Sequence, residues 1–317
     1  MPKSPQTPPL NTLKAFEVAA RHASFALAAQ ELSITPAAVS HRIKELETNL
    51  GIVLFQRKAR GVELTPEGAQ YRDSVCSALQ IIDRATSRLH SASVDGPLTV
   101  SVPESFAQFW LVPRLANLVT ALPGLELTLQ SETRLVDLRD GDADIGVRFG
   151  MGLYPGLSSE YLFGDAVTVL ATSSQIAAQT DTRTKTILQN TTLLEDYKTA
   201  GNEPWMTWQP WLNEAGIDNE TLLSKLRFSD TGMAVQACLE STGVCIGRMS
   251  LVSKLVRERQ LRALFPWRST EFSYYLVMRS ADQENPRVRA FRNWLVQQVT
   301  DFVSDVSESL DVDLGKL

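Results

Sequence analysis

Thr65-Pro66-Glu67-Gly68 opens the stretch that most restricts this chain. From there Val75, Ala78 or Leu79, Ile82, Ala85 and Leu89 recur close to the 3.5-residue period of a coiled-coil seam. Run as one helix over residues 66–91, the stretch is about 26 residues or ~39 Å long. A small domain cannot cover a stripe of that length, and a second copy of the chain is the simplest partner. The same helix divides the chain into a short head before it and a much longer body after it. Ser91-Ala92-Ser93-Val94-Asp95-Gly96-Pro97 then breaks into a hinge.

The 317 residues imply two or three domains. Net charge is −5, but it is unevenly placed: residues 1–64 carry eight Lys/Arg against five Glu, and residues 96–317 carry 20 basic against 27 acidic residues. A mildly basic head on an acidic body is compatible with local DNA binding. No run approaches the roughly 18 apolar residues of a membrane helix. The first nine residues hold four Pro and no apolar core, unlike a signal peptide. Three cysteines (Cys76, Cys238, Cys245) make no disulfide framework, so the expected setting is the reducing cytoplasm.

The head reads as short helices with tight joints. Leu13, Phe16, Ala19 and Ala20 form one inward face; Phe25, Ala28, Ala29 and Leu32 form a second, behind Ser24 as N-cap. After a turn over residues 33–35, Thr35-Pro36 supplies a cap and a proline at the first helical position, and Val39, Ile43, Leu46 and Leu50 face inward up to Gly51. Residues 54–64 read as a hairpin whose tip carries Arg57, Lys58 and Arg60. In the body, strands at 98–102, 125–130, 144–149, 166–171 and 272–279 alternate with helices, among them 105–122 and 286–302. This predicts an open, mostly parallel sheet with ligand sites beyond the strand ends. From Asp301 onward the chain carries five acidic residues and one Lys and is expected to fray.

If the third helix buries Val39, Ile43, Leu46 and Leu50, its other face presents Pro36, Ala37, Ser40, His41 and Lys44. Small residues at 36 and 37 allow close approach to a major groove, Ser40 and His41 reach base edges, and Thr35 and Lys44 contact phosphate. A solvated polar face is the plain alternative. The basic hairpin tip suits a minor groove, and it too reads alone as a solvated charge cluster. Together the two features favour DNA.

The series Leu10-Asn11-x-Leu-x-x-Phe16, Ser24-Phe25-x-x-Ala28-Ala29-x-x-Leu32, Ala38-Val39-Ser40-x-x-Ile43-x-x-Leu46-Glu47-x-x-Leu50-Gly51-x-x-Leu54-Phe55-x-Arg57 and Leu64-Thr65-x-x-Gly68 resembles the LysR-type regulators. Trp110-Leu-Val-Pro-Arg-Leu115 and the Pro-Leu-Asn opening resemble the subgroup of the glycine-cleavage activator and the regulators of chromosomal beta-lactamases. The resemblance implies an all-α winged helix-turn-helix head, a long linker helix, and a two-lobed α/β sensor like periplasmic binding proteins. It implies that positions 36, 37, 40 and 41 read bases and that Arg57 sits in the wing. Asn11 and Ser24 join the DNA-contact candidates. Pro36 and His41 depart from the residues many members carry, Gln and Arg, which bears on base preference rather than on docking. The expected divisions are a DNA-binding domain at 1–65, linker and hinge at 66–95, sensor at 96–302 and acidic tail at 303–317. Within the sensor, lobe I takes about 96–168 and 266–302, and lobe II about 169–265.

The resemblance puts an effector between the lobes. Ser105 with Phe106 follows a strand and opens a helix, which suits a carboxylate. Arg148 with Phe149 ends a buried strand and can pair with an anion, or bridge to Asp144 or Asp137. Ser229, Asp230 and Thr231 open a helix in the second lobe, as ligand contacts or as caps, and Tyr274 lies on the return strand. Asp230 suits an amine and Arg148 a carboxylate, so an amino acid or another zwitterionic metabolite is the expected effector, within the broader class of amino acids and carboxylates. Trp205, Trp208 and Trp211 read as core. The competing reading is an α/β metabolite-binding enzyme with an accessory DNA-binding head. Against it, His22, His41 and His90 all precede the body, leaving no histidine base for a triad there. Cys238 and Cys245 lack metal-ligand spacing. No cofactor or metal is expected. Promoter DNA, the effector, a second copy of the chain and RNA polymerase are the candidate partners, with no membrane among them.

Overall fold

The computed structural model describes residues 7–58, 61–89, 93–131, 138, 142–178, 184–199, 201–217, 224–310, 312, 314 and 315. The chain forms two compact units, Met1–His90 and Ser91–Leu317.

In the first unit, α1 (Leu10–His22), α2 (Phe25–Glu31) and α3 (Pro36–Leu50) pack around Phe16, Ala19, Ala28, Val39, Ile43 and Leu46. Ser24 Oγ accepts the Leu27 N–H, and Thr35 Oγ1 accepts the Ala38 N–H, so each helix begins on a hydroxyl cap. Ser33, at φ 54°, turns the chain between α2 and α3, and Gly51, at φ 69°, ends α3 in the left-handed region. A two-stranded hairpin follows, β1 (Phe55–Lys58) with β2 (Gly61–Leu64), paired from Phe55↔Leu64 to Lys58↔Gly61. The head is thus helical apart from this wing. α4 (Pro66–Leu89) sinks Val75 and, in part, Tyr71 and Leu79 into the same core, whereas Ile81 and Ile82 stand exposed farther along.

The second unit is built on one sheet with the strand order β4 (Leu125–Gln130), β3 (Gly96–Ser101), β5 (Ile145–Gly150), β11 (Arg268–Met278), β6 (Ser158–Thr172), β9 (Val244–Arg248), β7 (Leu193–Asp196), β8 (Lys225–Phe228). A short β10 (Leu261–Ala263) pairs with β6. Within each lobe the pairings β3–β4, β3–β5, β7–β8 and β7–β9 are parallel. The pairings β5–β11, β11–β6, β6–β9 and β6–β10 are antiparallel. The sheet is therefore evenly mixed, which corrects the mostly parallel sheet read from the sequence. Its cause is the length of β6 and β11: β6 pairs with β11 through residues 158–164 and, past a bulge, 166–167, and with β9 in lobe II through residues 167–170.

Helices cover the sheet. In lobe I these are α5 (Glu104–Phe106), α6 (Leu115–Ala121) and α12 (Pro286–Leu310); lobe II carries α7 (Ser173–Ala177), α8 (Thr184–Gln189), α9 (Gln209–Glu214), α10 (Thr231–Leu239) and α11 (Met249–Arg257). The helix expected over 105–122 is not uniform. A π turn at Ala107–Leu111 and a 3-10 turn at Val112–Arg114 join α5 to α6. Pro113 explains the break, since it cannot donate to the ladder and crowds the preceding turn. The last helix runs to Leu310 rather than ending at 302, because Val306 continues the buried stripe and Arg257 pairs with Asp305. The fraying expected from Asp301 is therefore corrected over residues 301–310, and beyond them Val312 and Leu314 are buried.

Lobe I centres on Phe106, Trp110, Phe163 and Tyr274 with Phe291 and Phe302 from α12. Trp208 and Trp211 are fully inside lobe II, in accord with a core role, while Trp205 packs edge-on to Phe272 at 5.1 Å. Cys238 and Cys245 are buried free thiols. Trp110 stacks on Phe106 at 4.9 Å and Phe163 at 6.0 Å. Trp110→Ala is expected to cost the body about 3–5 kcal/mol, measured as a shift of its denaturant unfolding transition by circular dichroism.

Candidate functional site

Two places concentrate unsatisfied chemistry, one in each unit. On α3 the inward stripe leaves Pro36, Ala37, His41 and Lys44 exposed and Ser40 half-buried, all near the helix N-terminus or on its outer face. Thr35 is exposed but its hydroxyl already caps the helix. Asn11 is exposed at the start of α1, and Ser24 is half-buried as the α2 cap. On the wing, Lys58 Nζ lies 3.0 Å from Glu63, an exposed pair that offsets part of the basic charge. Arg57 lies on β1 opposite Val62, and Arg60 falls outside the described residues.

In the second unit the carboxyl ends of β3, β5, β7 and β9, with the β8–α10 turn, surround a cleft of about 380 Å³. That is where an α/β sheet places its ligands. Lobe I contributes Ser101 to Ser105 and Arg148 to Gly150, with Met151, Leu153 and Tyr154 from the following loop. Lobe II contributes Asp196, Lys198, Glu203, Ser229, Asp230, Thr231 and Arg248. The structure therefore brings together Ser105, Arg148, Phe149, Ser229, Asp230 and Thr231 from the sequence-based set. Phe106 and Tyr274 instead lie beneath the cleft, in the lobe I core, with ring centroids 4.7 Å apart. Asp137 falls outside the described residues.

Each polar group is held by its neighbours. Arg148 donates through Nη1 to the Ser101 carbonyl and through Nη2 to Ser101 Oγ, both at 3.0 Å, and burial lowers its pKa. The end of β3 is thus one anchor of Arg148, and Asp144 accepts the Thr99 N–H. Thr231 Oγ1 donates to Asp196 Oδ2 at 2.8 Å, and Asp230 caps α10 by accepting the Gly232 N–H at 2.7 Å. Burial raises the Asp230 pKa, with Glu104 and Asp196 adding to the effect. Arg248 pairs with Glu203 at 2.5 Å, and its guanidinium sits 4.6 Å over the Phe149 ring. Its Nε is buried with no hydrogen-bond acceptor among the described residues.

Comparison with known proteins decides what such a pair of sites belongs to. The family profile of the bacterial regulatory helix-turn-helix protein, lysR family, matches residues 10–69, and that of the LysR substrate binding domain matches residues 91–300. The chain belongs to the LysR family. It is a DNA-binding transcription regulator with an effector-binding domain, which sets aside the enzyme alternative. This LysR-type regulator is 33% identical to the glycine cleavage system transcriptional activator of Escherichia coli strain K12, over 92% of this chain and 94% of that one. It is also 33% identical to the transcriptional activator AmpR of Pseudomonas aeruginosa, over 91% and 95%. Among solved structures, full-length CbnR in complex with its target DNA superimposes with a TM-score of 0.60 at 19% identity, covering 92% of this chain and 99% of that one. The effector domain of Pseudomonas aeruginosa AmpR gives 0.51 at 26% identity, over 64% and 95%. No helix among the described residues is long and apolar enough to cross a membrane.

Sequence reasoning missed Asp196, Lys198, Glu203 and Arg248. For Arg248 the signal was present: it ends the buried strand Val244–Arg248 as Arg148 nearly ends Ile145–Gly150. Lys198 and Glu203 lie on the loop after β7, where no periodicity marks them.

Beneath the cleft of the LysR-type regulator lies a buried polar chain that the sequence did not reveal. Asp165 sits on β6 where the strand passes between lobes, accepting N–H groups from Ala166 and Ser250 and the Ser250 hydroxyl at 2.5 Å. Ser250 Oγ meets the Tyr274 hydroxyl at 3.2 Å. Full burial pushes the Asp165 carboxyl up to about 6, against the three donors and the nearby Arg248. Burial and the Asp165 charge likewise raise the Tyr274 phenol. Because the Asp165 pKa is higher folded than unfolded, its proton favours the folded body. That contribution is complete below about pH 4 and is lost as pH rises through about 6. Melting temperatures of wild type and Asp165→Asn across pH 4–8 should show it: wild type gains on the variant as pH falls from 7 to 4.5. A constant gap across the series would contradict the assignment.

Proposed function

We propose that this regulator reads promoter DNA with Pro36, Ala37, Ser40 and His41 on α3, with Thr35, Lys44, Asn11, Ser24 and the basic wing residues Arg57, Lys58 and Arg60 toward the backbone and minor groove. Its DNA binding answers to a zwitterionic metabolite of the amino-acid class held in the cleft. The observation that carries the effector class is the mixed charge of the cleft wall: Arg148 and Arg248 share one 380 Å³ space with Asp196 and Asp230. A carboxylate finds the unfilled Nε donor of Arg248 and the hydroxyls of Ser105 and Ser229. An ammonium group finds Asp230, whose burial favours a cationic neighbour.

The working unit is a homodimer or a pair of dimers, with the exposed Ile81 and Ile82 of α4 covered by a second copy. Two heads then read half-sites with dyad character. The cytoplasm, where promoter DNA and RNA polymerase reside, is its site of action. An effector shifts activity only by binding one quaternary arrangement more tightly than the other.

Thermal-shift titration of the full chain against an amino-acid panel, with the corresponding deaminated acids and decarboxylated amines, tests the effector class. At least one zwitterion is expected to raise the melting temperature while its acid and amine partners do not. Arg148→Gln and Asp230→Asn should each weaken that response tenfold or more; a response confined to simple acids, or unchanged in Asp230→Asn, would rule out a zwitterion. For the DNA face, Ser40→Ala and His41→Ala should each narrow discrimination between operator and random duplex by about 1–3 kcal/mol. Competition binding measures this, and unchanged discrimination in both variants would remove α3 from base reading.

A further inference from the structure

Both strands of the wing are only four residues long, too short to hold a fixed direction alone. The wing is therefore oriented by what grips its base. Beside the packing of Phe55 on Phe16 and Phe25, three sets of hydrogen bonds grip it among the described residues. The Val62 N–H donates to the Ala23 carbonyl at the α1–α2 corner, at 3.1 Å. Thr65, at the threshold of α4, donates through Oγ1 to the Val53 carbonyl at 2.8 Å and through its N–H to the Leu54 carbonyl at 2.9 Å. The third grip comes from α3: Oε1 of Glu47 accepts the N–H groups of Leu54 and Phe55 at 2.8 and 3.1 Å. One side-chain oxygen accepting two successive amides holds both peptide groups at once. It fixes the chain at the residue where β1 begins.

Of the three grips, only Glu47 arises from the helix that carries Ser40 and His41. It lies two turns farther along that helix and half-buried, facing the wing rather than outward with Lys44. The junction also has no slack on the α4 side, since a Cβ at Gly68 would come within 2.2 Å of the Leu54 oxygen. We propose that Glu47 is a positioning residue for DNA recognition: it locks the wing to α3 so that major-groove and minor-groove contacts are made in one fixed register. The inference rests on the reading that both α3 and the wing meet DNA. It needs an oxygen acceptor at the reach of a Glu side chain, and not a negative charge as such.

The test uses the full-length protein and a duplex selected by the wild type from a random pool, with hydroxyl-radical protection and affinities over a salt series. Wild type should protect a central segment and flanking minor-groove positions. Glu47→Gln keeps the acceptor at the same reach and is expected to keep the flanking protection with affinity within about threefold. Glu47→Asp, one methylene shorter, and Glu47→Ala are expected to lose the flanking protection, lose about tenfold in affinity, and show a shallower salt slope by about one. Melting curves establish that each variant is folded at the assay temperature, and the Asp variant carries the test should the Ala variant not fold. Folded Glu47→Asp with unchanged flanking protection overturns the proposal, as does Glu47→Gln behaving like Glu47→Ala. Wild type with no flanking protection overturns the wing reading itself, and the positioning role with it.

Discussion

The body of this regulator depends on two strands that belong to both lobes. β6 and β11 run antiparallel through the sheet, so lobe I and lobe II share a hydrogen-bonded floor and part only above it. The cleft exists because the parallel strands of each lobe end beside that floor, delivering Arg148 from one side and Asp196 and Arg248 from the other. Asp165 stands on the shared strand, and its partner Ser250 lies in the first turn of α11, two residues after Arg248. The Arg248 charge also acts on the Asp165 carboxylate, so cleft wall and crossing are linked electrostatically.

The head solves a different problem with the same economy of contacts. Its core is small, and hydroxyl caps on Ser24 and Thr35 define where α2 and α3 begin. Leu54 is the meeting point: its amide goes to α3, its carbonyl to Thr65 before α4, and its side chain into the core. The third helix, the wing and the long helix therefore meet at one residue. The arrangement explains why a linear series of small, apolar and turn residues so strongly marks this type of head.

Much of this was legible in the sequence. The apolar spacing in residues 10–50 identified the three helices and the buried stripes of α2 and α3, but on α1 it missed Thr12, Ala15 and Val18. Ser105, Arg148 and Ser229 to Thr231 were legible because they follow strand ends. What escaped detection depends on long-range pairing. The antiparallel crossing follows from the register of β6 against β11, which local alternation does not encode. Phe106 and Tyr274 turn inward because the rings of Trp110, Phe149 and Phe163 enclose them. Glu47 was marked in the sequence only as part of the family resemblance, and its carboxylate against the Leu54 and Phe55 amides gives it a physical role.

The central claim, that a sequence-reading head is joined to an effector-sensing body, is tested most directly by a nuclease-protection footprint. The full-length protein would be placed on the intergenic DNA beside its own gene across a salt series. The account predicts a bounded site with dyad character whose edges persist as salt rises, even while affinity falls. Diffuse protection that vanishes uniformly with salt, or no binding at low salt, would contradict it.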